Sequence, residues 1–406
     1  MMCSIIPKPV LDSLHTVKAC ADDKDVNKVD AIFGAYRDEN GKPWILPFVH
    51  DLERKIFECP SYNHEYVVFL GMVPFQELTP QVILGADSPD LKSGRAFGVQ
   101  TVSGTAALRA GAELLLRHFK YTTFYISEPT WDNHDVTFLY AGFADSRRYR
   151  FWDPVTRGLD MEGLLEDLRN APEHSVIVLQ MCAHNPTGCD FTKEQWIQIA
   201  DVMEERNLFP FLDAAYQGLA TGDLEEDAWP ARYFAQRGFE FFIAQSFSKN
   251  MGLYGDRVGC LTLVLNDEQQ KQTEHINLLL ASIIRALYLC PTRHGPEIVV
   301  QTLRSPELTE KWSECIRKMV KRITEARKGL RDRLEKLGTP GKWDHLTNQK
   351  GMFSFSGLTA KQVEYLGKNH HIYILPNGRT NMCAFNEYNL DRVAAGFHDA
   401  VIKCPK

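Results

Sequence analysis

The sequence lacks several features that define broad classes of protein. Its longest apolar stretches are far too short to cross a bilayer, so we expect no transmembrane helix. The ten cysteines are scattered without metal-ligand or Cys-x-x-Cys spacing, which indicates reduced thiols and predicts no metal site. A net charge of −6 over 406 residues gives no reason to expect binding to nucleic acid or to an anionic membrane. Internal repeats and low-complexity segments are also absent.

The N-terminal segment lacks the pattern of a targeting peptide. It carries Asp22, Asp23 and Asp25 and has no arginine-rich amphipathic stretch. With the reduced cysteines, this predicts a cytoplasmic location. A chain of this length exceeds one ordinary hydrophobic core, so we expect two domains.

What the sequence does contain is a series of apolar runs that end in polar groups. Near-continuous apolar runs suit strands buried on both faces of a mostly parallel sheet, which predicts an α/β fold. In such sheets, ligands bind beyond the carboxyl ends of the strands. We therefore expect the polar residues after these runs to share one crevice. The runs cover 122–127, 175–180, 208–212 and 239–244, and the residues that follow them include Trp131, Asn185, Asp213, Tyr216 and Lys249.

Lys249 is the most informative of these residues. Arg257 comes eight residues later, after a glycine-containing turn. Desolvation and a nearby cation both disfavour the charged amine. A neutral amine can attack an aldehyde and form a Schiff base, which is the link that pyridoxal phosphate makes to its enzymes. Taken alone, Lys249 would more simply be a solvated loop lysine.

A candidate phosphate site precedes the helical run 108–119. Ser103, Gly104 and Thr105 would offer backbone amides, hydroxyl groups and the positive end of a helix dipole to an anion. The alternative is an ordinary Ser/Thr helix cap.

Five longer motifs resemble the aspartate aminotransferase family of fold-type I pyridoxal phosphate enzymes. The resemblance runs from about Val26 to the C-terminus in the family's order. The motifs are Gly-Ala-Tyr-Arg (34–37), His-Asn-Pro-Thr-Gly (184–188), Asp-Ala-Ala-Tyr-Gln-Gly (213–218), Ser-Phe-Ser-Lys-Asn (246–250) and Gly-Leu-Tyr-Gly-Asp-Arg-Val-Gly (252–259).

The resemblance implies a domain organisation. A large cofactor-binding domain, with a mostly parallel mixed sheet flanked by helices, would cover 44–312. A smaller α+β domain would combine 1–43, including an N-terminal arm, with 313–406, entered by a long connecting helix.

The resemblance also implies roles around the cofactor ring. Lys249 would form the Schiff base and move the substrate proton, and Asp213 would keep the pyridine nitrogen protonated. Tyr216 and Asn185 would hydrogen-bond the ring oxygen, and Trp131 would stack on the ring. The phosphate would be held by Ser103, Gly104, Thr105, Ser246 and Arg257, and by Tyr66 from the partner subunit of a homodimer.

Two arginines would select the substrate. By resemblance, Arg379 would grip the α-carboxylate and Arg285 would reach across the dimer to the side-chain carboxylate. A planar guanidinium pairs with a carboxylate in bidentate fashion, so the pair favours dicarboxylic amino acids and 2-oxo acids. Gly34, Trp131 and Asn185 would also line the substrate pocket.

The chain departs from the family pattern at several positions. Phe33 replaces a small residue and Gln180 a histidine, while Ala106 replaces a glycine and Leu289-Cys290 a Ser-Asn pair.

The expected function is transamination of L-aspartate with 2-oxoglutarate by a ping-pong mechanism. The departures leave two alternatives: shifted specificity towards aromatic or cysteine sulfinate substrates, and a weakly active paralogue with a structural or binding role.

The remaining pattern predicts helices and strands outside the motifs. The capping box at Thr192 should start one helix, and Ser305-Pro306 and Gly338 should bound a long basic one. The first twenty-odd residues have no strong period. Further predicted elements are strands at 351–355, 371–375 and 380–385, and helices at 360–367 and from 390.

Overall fold

The computed structural model describes residues 12–405, which form two compact units. The larger unit comprises Trp44–Arg322 and Gln349–Gly351. The smaller unit comprises the described residues up to Pro43, Ile323–Asn348, and the chain from Met352 onward. No helix in the described part of the chain is long and apolar enough to cross a membrane.

The helices and strands alternate along most of the larger unit. The helices are α1 (Asp12–Asp22), α2 (Pro47–Glu58), α3 (Val73–Leu84), α4 (Pro89–Ser93), α5 (Gly104–Arg117), α6 (Asn133–Ala141), α7 (Met161–Asn170), α8 (Lys193–Glu205), α9 (Leu224–Asp227), α10 (Trp229–Gln236), α11 (Asp267–Gln270), α12 (Thr273–Tyr288), α13 (His294–Arg304), α14 (Pro306–Lys336), α15 (His345–Asn348), α16 (Ala360–His370) and α17 (Leu390–Lys403). The strands are β1 (Val29–Asp30), β2 (Ala96–Thr101), β3 (Phe124–Glu128), β4 (Ser146–Arg150), β5 (Trp152–Asp153), β6 (Gly158–Leu159), β7 (Val176–Gln180), β8 (Phe209–Ala214), β9 (Phe241–Ser246), β10 (Gly259–Val264), β11 (Phe353–Phe355), β12 (Ile372–Tyr373) and β13 (Arg379–Asn381).

The larger unit is built on a seven-stranded sheet in the order β2-β10-β9-β8-β7-β3-β4. β10 runs antiparallel to β9 and β2, whereas the other neighbours are parallel. Every residue of β7, β8 and β9 is buried, as expected for strands covered on both faces. The four strands predicted from the apolar runs are therefore confirmed as β3, β7, β8 and β9.

Helix α5 lies close against the centre of this sheet. A Cβ atom on Gly111 would come within 2.6 Å of the Phe211 ring on β8, so glycine permits the close approach. The buried face of α5 joins the main hydrophobic core with Phe124, Phe242 and Leu261 from three strands. The tight packing fixes the helix N-terminus relative to the strand ends.

The edge strand β4 carries arginines rather than an apolar run, which is why its sequence did not predict a strand. Arg148 Nε lies 3.0 Å from Glu128 Oε2, and Arg150 Nη2 lies 2.7 Å from Asp167 Oδ1. Arg147 is also ion-paired. Charged side chains of this kind protect an open sheet edge from pairing with another strand.

The smaller unit contains two short sheets, a parallel pair β1-β12 and an antiparallel pair β11-β13. No periodicity predicted α1, yet it forms a helix whose Cys20 packs in a cluster with Ile32, Tyr373 and Leu375. Asp12–Asp22 therefore belongs to the fold of its own chain, and residues 1–11 of the predicted arm lie outside the described residues.

The strands predicted after α14 are shorter than expected, since 351–355 is a strand only over Phe353–Phe355 and 371–375 only over Ile372–Tyr373. The segment 380–385 continues β13 only to Asn381 and then turns into a 3-10 helix, Met382–Ala384. The Asn381 side chain causes the change, because its Oδ1 accepts the backbone N–H of Cys383 at 2.9 Å. By contrast, the Thr192 capping box and the long helix α14 are confirmed.

Candidate active site

Lys249 lies just after β9, at the carboxyl ends of the central strands. Its Nζ stands 5.2 Å from the centre of the Tyr216 ring, and Tyr216 is buried. Burial lowers the pKa of Lys249, the Asp213 carboxylate opposes that shift, and the Arg257 guanidinium adds to it. The structure thus brings the predicted Lys249, Asp213, Tyr216 and Arg257 within electrostatic reach, and burial shifts the Lys249 amine towards its neutral form.

Asp213 is held by a histidine whose role the sequence did not reveal. His134 Nε2 lies 2.8 Å from Asp213 Oδ2, and His134 Nδ1 lies 2.7 Å from Thr130 Oγ1. Because a carboxylate only accepts, Nε2 carries the hydrogen of the bond to Asp213. His134 and Asp213 are both buried, so the pair fixes the direction of the carboxylate. The only sequence signal was the position of His134 close to Trp131.

Asn185 sits in the loop that follows β7. The peptide groups of this loop are bound by side chains, since Asp190 accepts the N–H groups of Ala183 and His184 at 2.9 and 3.1 Å. The His184 ring stacks on Phe151 with centroids 3.8 Å apart. Burial holds the pKa of His184 well below its usual value, so this histidine is neutral. The loop is therefore rigid around Asn185.

The residues at the start of α5, Ser103 to Thr105, are called the cradle below. They include a hydroxyl that makes no hydrogen bond to the described residues. Ser103 has φ 90 and is buried, and its Oγ has no hydrogen-bond partner within residues 12–405. Ser103 occupies the N-cap position of α5, but its side chain accepts no capping hydrogen bond. A Cβ atom on Gly259 would lie 2.3 Å from the Ser103 carbonyl carbon, so β10 approaches the cradle as only glycine allows.

A cavity of about 560 Å³ opens at this cradle. Ser103, Thr105 and Arg257 all line it. Arg257 is exposed and donates from Nη1 to the Tyr254 carbonyl at 2.9 Å. A helix N-terminus, hydroxyls and a guanidinium thus lie together, and these are donors of the kind that bind anions.

Trp131 and Ser246 lie beside these groups. The Trp131 ring packs against the main core and meets His134 edge-on, with centroids 5.4 Å apart. Ser246 ends β9, is buried, and has its Cβ 3.0 Å from the point where a Cβ on Gly104 would lie. Trp131 and Ser246 thus each lie against another residue of the candidate site, His134 and Gly104 respectively.

Arg379 and Gly34 lie in the smaller unit, where they are neighbours of one aromatic ring. The Arg379 guanidinium stands 4.3 Å from the centre of the Phe353 ring and donates from Nη2 to the Ile32 carbonyl at 2.7 Å. A Cβ atom on Gly34 would come within 2.6 Å of the same ring. The loop holding Phe33 is therefore shaped by Arg379 and by the absence of a side chain at Gly34.

Tyr66 and Arg285 do not line the cavity at the cradle of their own chain. Tyr66 is 74% exposed, and Arg285 is also exposed, with its guanidinium 4.9 Å from the centre of the Phe69 ring. Val68, at 64% exposed, adds to an apolar surface around them.

The model of one family, aminotransferase class I and II, matches residues 28–397. The chain belongs to this family. The cytoplasmic aspartate aminotransferase of Gallus gallus is 49% identical to this aminotransferase over 94% of its chain and 93% of the relative's. The family resemblance of the sequence motifs is thereby confirmed.

Two solved structures share the fold of this class I and II aminotransferase. Aspartate aminotransferase from Saccharomyces cerevisiae cytoplasm has a TM-score of 0.96 and 40% identity, with 99% of both chains covered. The aromatic-amino-acid aminotransferase from Burkholderia pseudomallei, covalently bound to pyridoxal phosphate, has a TM-score of 0.94 and 34% identity, covering 98% of this chain and 99% of that one. The predicted fold-type I architecture is confirmed.

Class I and II aminotransferases depend on pyridoxal phosphate, and the residues of this family member fit that group. Ser103 offers an unpaired buried hydroxyl at a helix N-terminus, as a phosphate requires. Lys249 has a lowered pKa, as attack on an aldehyde requires. Asp213 is an oriented acceptor of the kind that a pyridinium N–H needs.

Proposed function

We propose that this protein is a pyridoxal-phosphate-dependent aspartate aminotransferase. It converts L-aspartate and 2-oxoglutarate to oxaloacetate and L-glutamate in two half-reactions. The observation that carries the proposal is the Lys249 amine, with its pKa lowered, between Tyr216 and the His134-bound Asp213 carboxylate.

Bound pyridoxal phosphate supplies an aldehyde that links to an amine and an aromatic ring that withdraws electrons from the attached carbon. Lys249 Nζ would hold the group covalently and then, as a free amine, would carry the proton from the substrate α-carbon to the cofactor. The Asp213 carboxylate, fixed by His134, would keep the ring nitrogen protonated. Tyr216 and Asn185 would donate to the ring oxygen, and Trp131 would cover the ring face.

The cradle residues would bind the phosphate of the cofactor. Ser103, Thr105 and Ser246 would donate through hydroxyls, and Gly104 through its backbone at the start of α5. Arg257, which lines the same cavity as Ser103 and Thr105, would add a guanidinium. A phosphate held by charged and backbone donors positions the reacting end without using the catalytic groups.

Substrate choice falls to Arg379 and Arg285. Arg379 binds the α-carboxylate that all amino-acid substrates share, and Arg285 binds the side-chain carboxylate from the neighbouring subunit. The exposure of Tyr66, Phe69 and Arg285 supports a homodimer in which each subunit completes the other's site. The cytoplasmic names of the relatives support a cytoplasmic location.

A second candidate is an aminotransferase with aromatic or cysteine sulfinate specificity. Phe33, at 51% exposed, adjoins Gly34 and its carbonyl is fixed by Asn381 Nδ2 at 2.6 Å. The family resemblance implies that this position lines the substrate pocket, where a phenyl group would leave less room for a substrate and would offer a surface to an aromatic side chain. A third candidate, a binding protein with little activity, predicts cofactor uptake without turnover.

One experiment separates these functions. The purified protein is loaded with pyridoxal phosphate, and its absorbance spectrum is recorded before and after L-aspartate, L-phenylalanine or cysteine sulfinate is added. The proposed function predicts a coloured protein whose spectrum changes fastest with aspartate and recovers with 2-oxoglutarate. A faster change with phenylalanine or cysteine sulfinate would establish the second candidate, and no change with any of them the third.

A further inference from the structure

Gln180, the last residue of β7, forms a two-point clamp on Asn185. Its Nε2 donates to the Asn185 carbonyl at 2.9 Å, and its Oε1 accepts the Asn185 N–H at 2.8 Å. Both residues are buried. The carboxamide thus satisfies the whole backbone of Asn185, as a neighbouring strand would.

Asn185 needs such a partner because of its position in the chain. It is followed by Pro186, which has no N–H to contribute to a turn or strand. The preceding peptides, at Ala183 and His184, are held by Asp190 instead. Gln180 is therefore the side chain that binds both the N–H and the carbonyl group of Asn185.

The clamp also links Asn185 to the next strand. Gln180 is paired in register with Asp213 across β7 and β8, and Met181 N–H donates to the Asp213 carbonyl at 2.9 Å. The backbone of Asp213 is consequently fixed relative to Gln180, and Gln180 is fixed relative to Asn185. One glutamine side chain sets the spacing between two groups that face the cofactor ring.

We propose that Gln180 is a positioning residue that aims the Asn185 side chain at the ring oxygen of bound pyridoxal phosphate. This inference rests on the proposed function, because it concerns the same cofactor. A hydrogen bond from Asn185 stabilises the ionised ring oxygen, so the bound cofactor loses its proton at a lower pH. Gln180 acts through Asn185 and does not itself contact the ring.

The test compares Gln180→Met with Gln100→Met. Methionine is similar in length to glutamine but makes neither hydrogen bond. Gln100 is a matched control because it is also buried and also clamps backbone at two points, accepting from Met72 N–H at 2.9 Å and donating to the Thr292 carbonyl at 2.7 Å. Gln180→Met leaves two buried backbone groups unpaired, whereas Gln100→Met leaves two part-buried ones, so the control should lower the thermal midpoint no more than Gln180→Met does.

Only Gln180→Met should change the cofactor. The pH midpoint of its visible absorbance should rise relative to wild type, and kcat should fall about ten-fold or more with little change in the KM for aspartate. Gln100→Met should keep the wild-type pH midpoint. In a double-mutant cycle, Gln180→Met should add little to the effect of Asn185→Ala on that midpoint.

Hydrogen exchange separates this inference from the proposed function. In protein without cofactor, the Asn185 amide should be protected in the wild type and in Gln100→Met but exchange rapidly in Gln180→Met. Wild type that takes up no pyridoxal phosphate would refute the proposed function and leave the clamp measurable. Equal pH midpoints in Gln180→Met and wild type, or additive effects with Asn185→Ala, would overturn the positioning role.

Should Gln180→Met fail to fold, Gln180→Glu provides the second variant. Glutamate can still accept the Asn185 N–H but cannot donate to its carbonyl. An intermediate pH midpoint supports the clamp, and a wild-type midpoint overturns it.

Discussion

The carboxyl edge of the large sheet and the surface around Tyr66 and Arg285 belong to one unit but are built in opposite ways. At the edge, Asp213 and Asn185 are buried and held by hydrogen bonds from their own chain. At the surface, Tyr66 is 74% exposed and Arg285 rests on Phe69. A single chain therefore orders the groups that would handle protons, and it leaves exposed Arg285, which would bind the side-chain carboxylate of the substrate.

This difference separates the groups that would move protons from a group that would recognise the substrate's side-chain carboxylate. Groups that move protons must be dry and oriented, and their pKa values depend on burial. Groups that recognise a carboxylate can be exposed in the isolated chain and become desolvated only when a second subunit covers them. The following experiments test that division, beginning with the largest expected effect.

Lys249→Ala should abolish the chemistry of the buried edge. The substitution removes the nucleophile and the base together, so kcat should fall about 10⁴-fold or more. The control is Lys193→Ala, because Lys193 is an exposed lysine paired with Glu226 and should be dispensable. Steady-state assay of oxaloacetate formation measures both, and substantial activity in Lys249→Ala would refute its assignment.

Asp213→Asn should leave the fold intact but remove most activity. The amide oxygen can still accept from His134 Nε2, whereas an uncharged amide cannot stabilise a protonated ring nitrogen. Loss of one partner of a buried ion pair costs about 3–5 kcal/mol in the affected state, which corresponds to more than a hundred-fold in rate. Circular dichroism checks the fold and kcat reports the effect. A normal rate would mean that Asp213 does not face the ring.

Arg285→Leu and Arg379→Leu should differ in their substrate dependence. A charged hydrogen bond is worth about 1.5–3 kcal/mol, so each loss should lower kcat/KM for aspartate about ten- to more than a hundred-fold. Arg285→Leu should spare phenylalanine, whereas Arg379→Leu should weaken both substrates. Equal losses for both substrates in Arg285→Leu would contradict its role in specificity.

Mixed dimers test whether the exposed surface acts on the neighbouring subunit. Lys249→Ala subunits and Arg285→Leu subunits are each impaired alone. A mixed dimer would contain one site with an intact lysine and the partner's intact arginine, so aspartate activity should return. Heterodimers isolated with two different tags but lacking activity would place Arg285 outside the partner's site.

Burial of Asp227, at the end of α9, also lowers stability in a way that the pH dependence of unfolding should reveal. Burial raises the pKa of Asp227 from 3.8 to about 6, with the Thr221 hydroxyl and the Ala220 N–H opposing the shift. A raised folded-state pKa gives stability that is full below 3.8 and lost as pH rises through about 6. The shift corresponds to at most about 3 kcal/mol.

Asp227→Asn should remove this pH dependence. Relative to wild type, the free energy of unfolding of the variant should rise between pH 4 and pH 7, as measured by urea titration at each pH. Parallel profiles for the two proteins would show that Asp227 is not the titrating group.

The sequence predicted the candidate catalytic residues at the carboxyl edge of the sheet, but it did not predict the residues that hold them in place. Lys249, Asp213 and Asn185 follow apolar strands, so a local pattern located them at one sheet edge. His134 binds Asp213 from 79 positions away in the chain, and no local pattern reports such a pairing. Gln180 appeared only as a departure from the family, because its value depends on the course of the loop after β7.

The missed elements have the same explanation. Strand β4 has exposed arginines where a buried strand has apolar residues, so the apolar-run criterion passed over it. The prediction of a strand over 380–385 failed at Asn381, whose side chain redirects the backbone by a hydrogen bond two residues away. Local composition predicts burial, whereas these features depend on individual polar contacts.

The charged residues of strand β4 also bear on aggregation of the folded protein at high concentration. An open edge of a seven-stranded sheet is a template onto which another copy can stack and begin a fibre. Arg147, Arg148 and Arg150 would confront the same residues of that copy, and their mutual repulsion blocks the first step of stacking. In acid, the neighbouring carboxylates become neutral while the guanidinium groups stay charged, so the repulsion grows under the conditions that unfold many proteins.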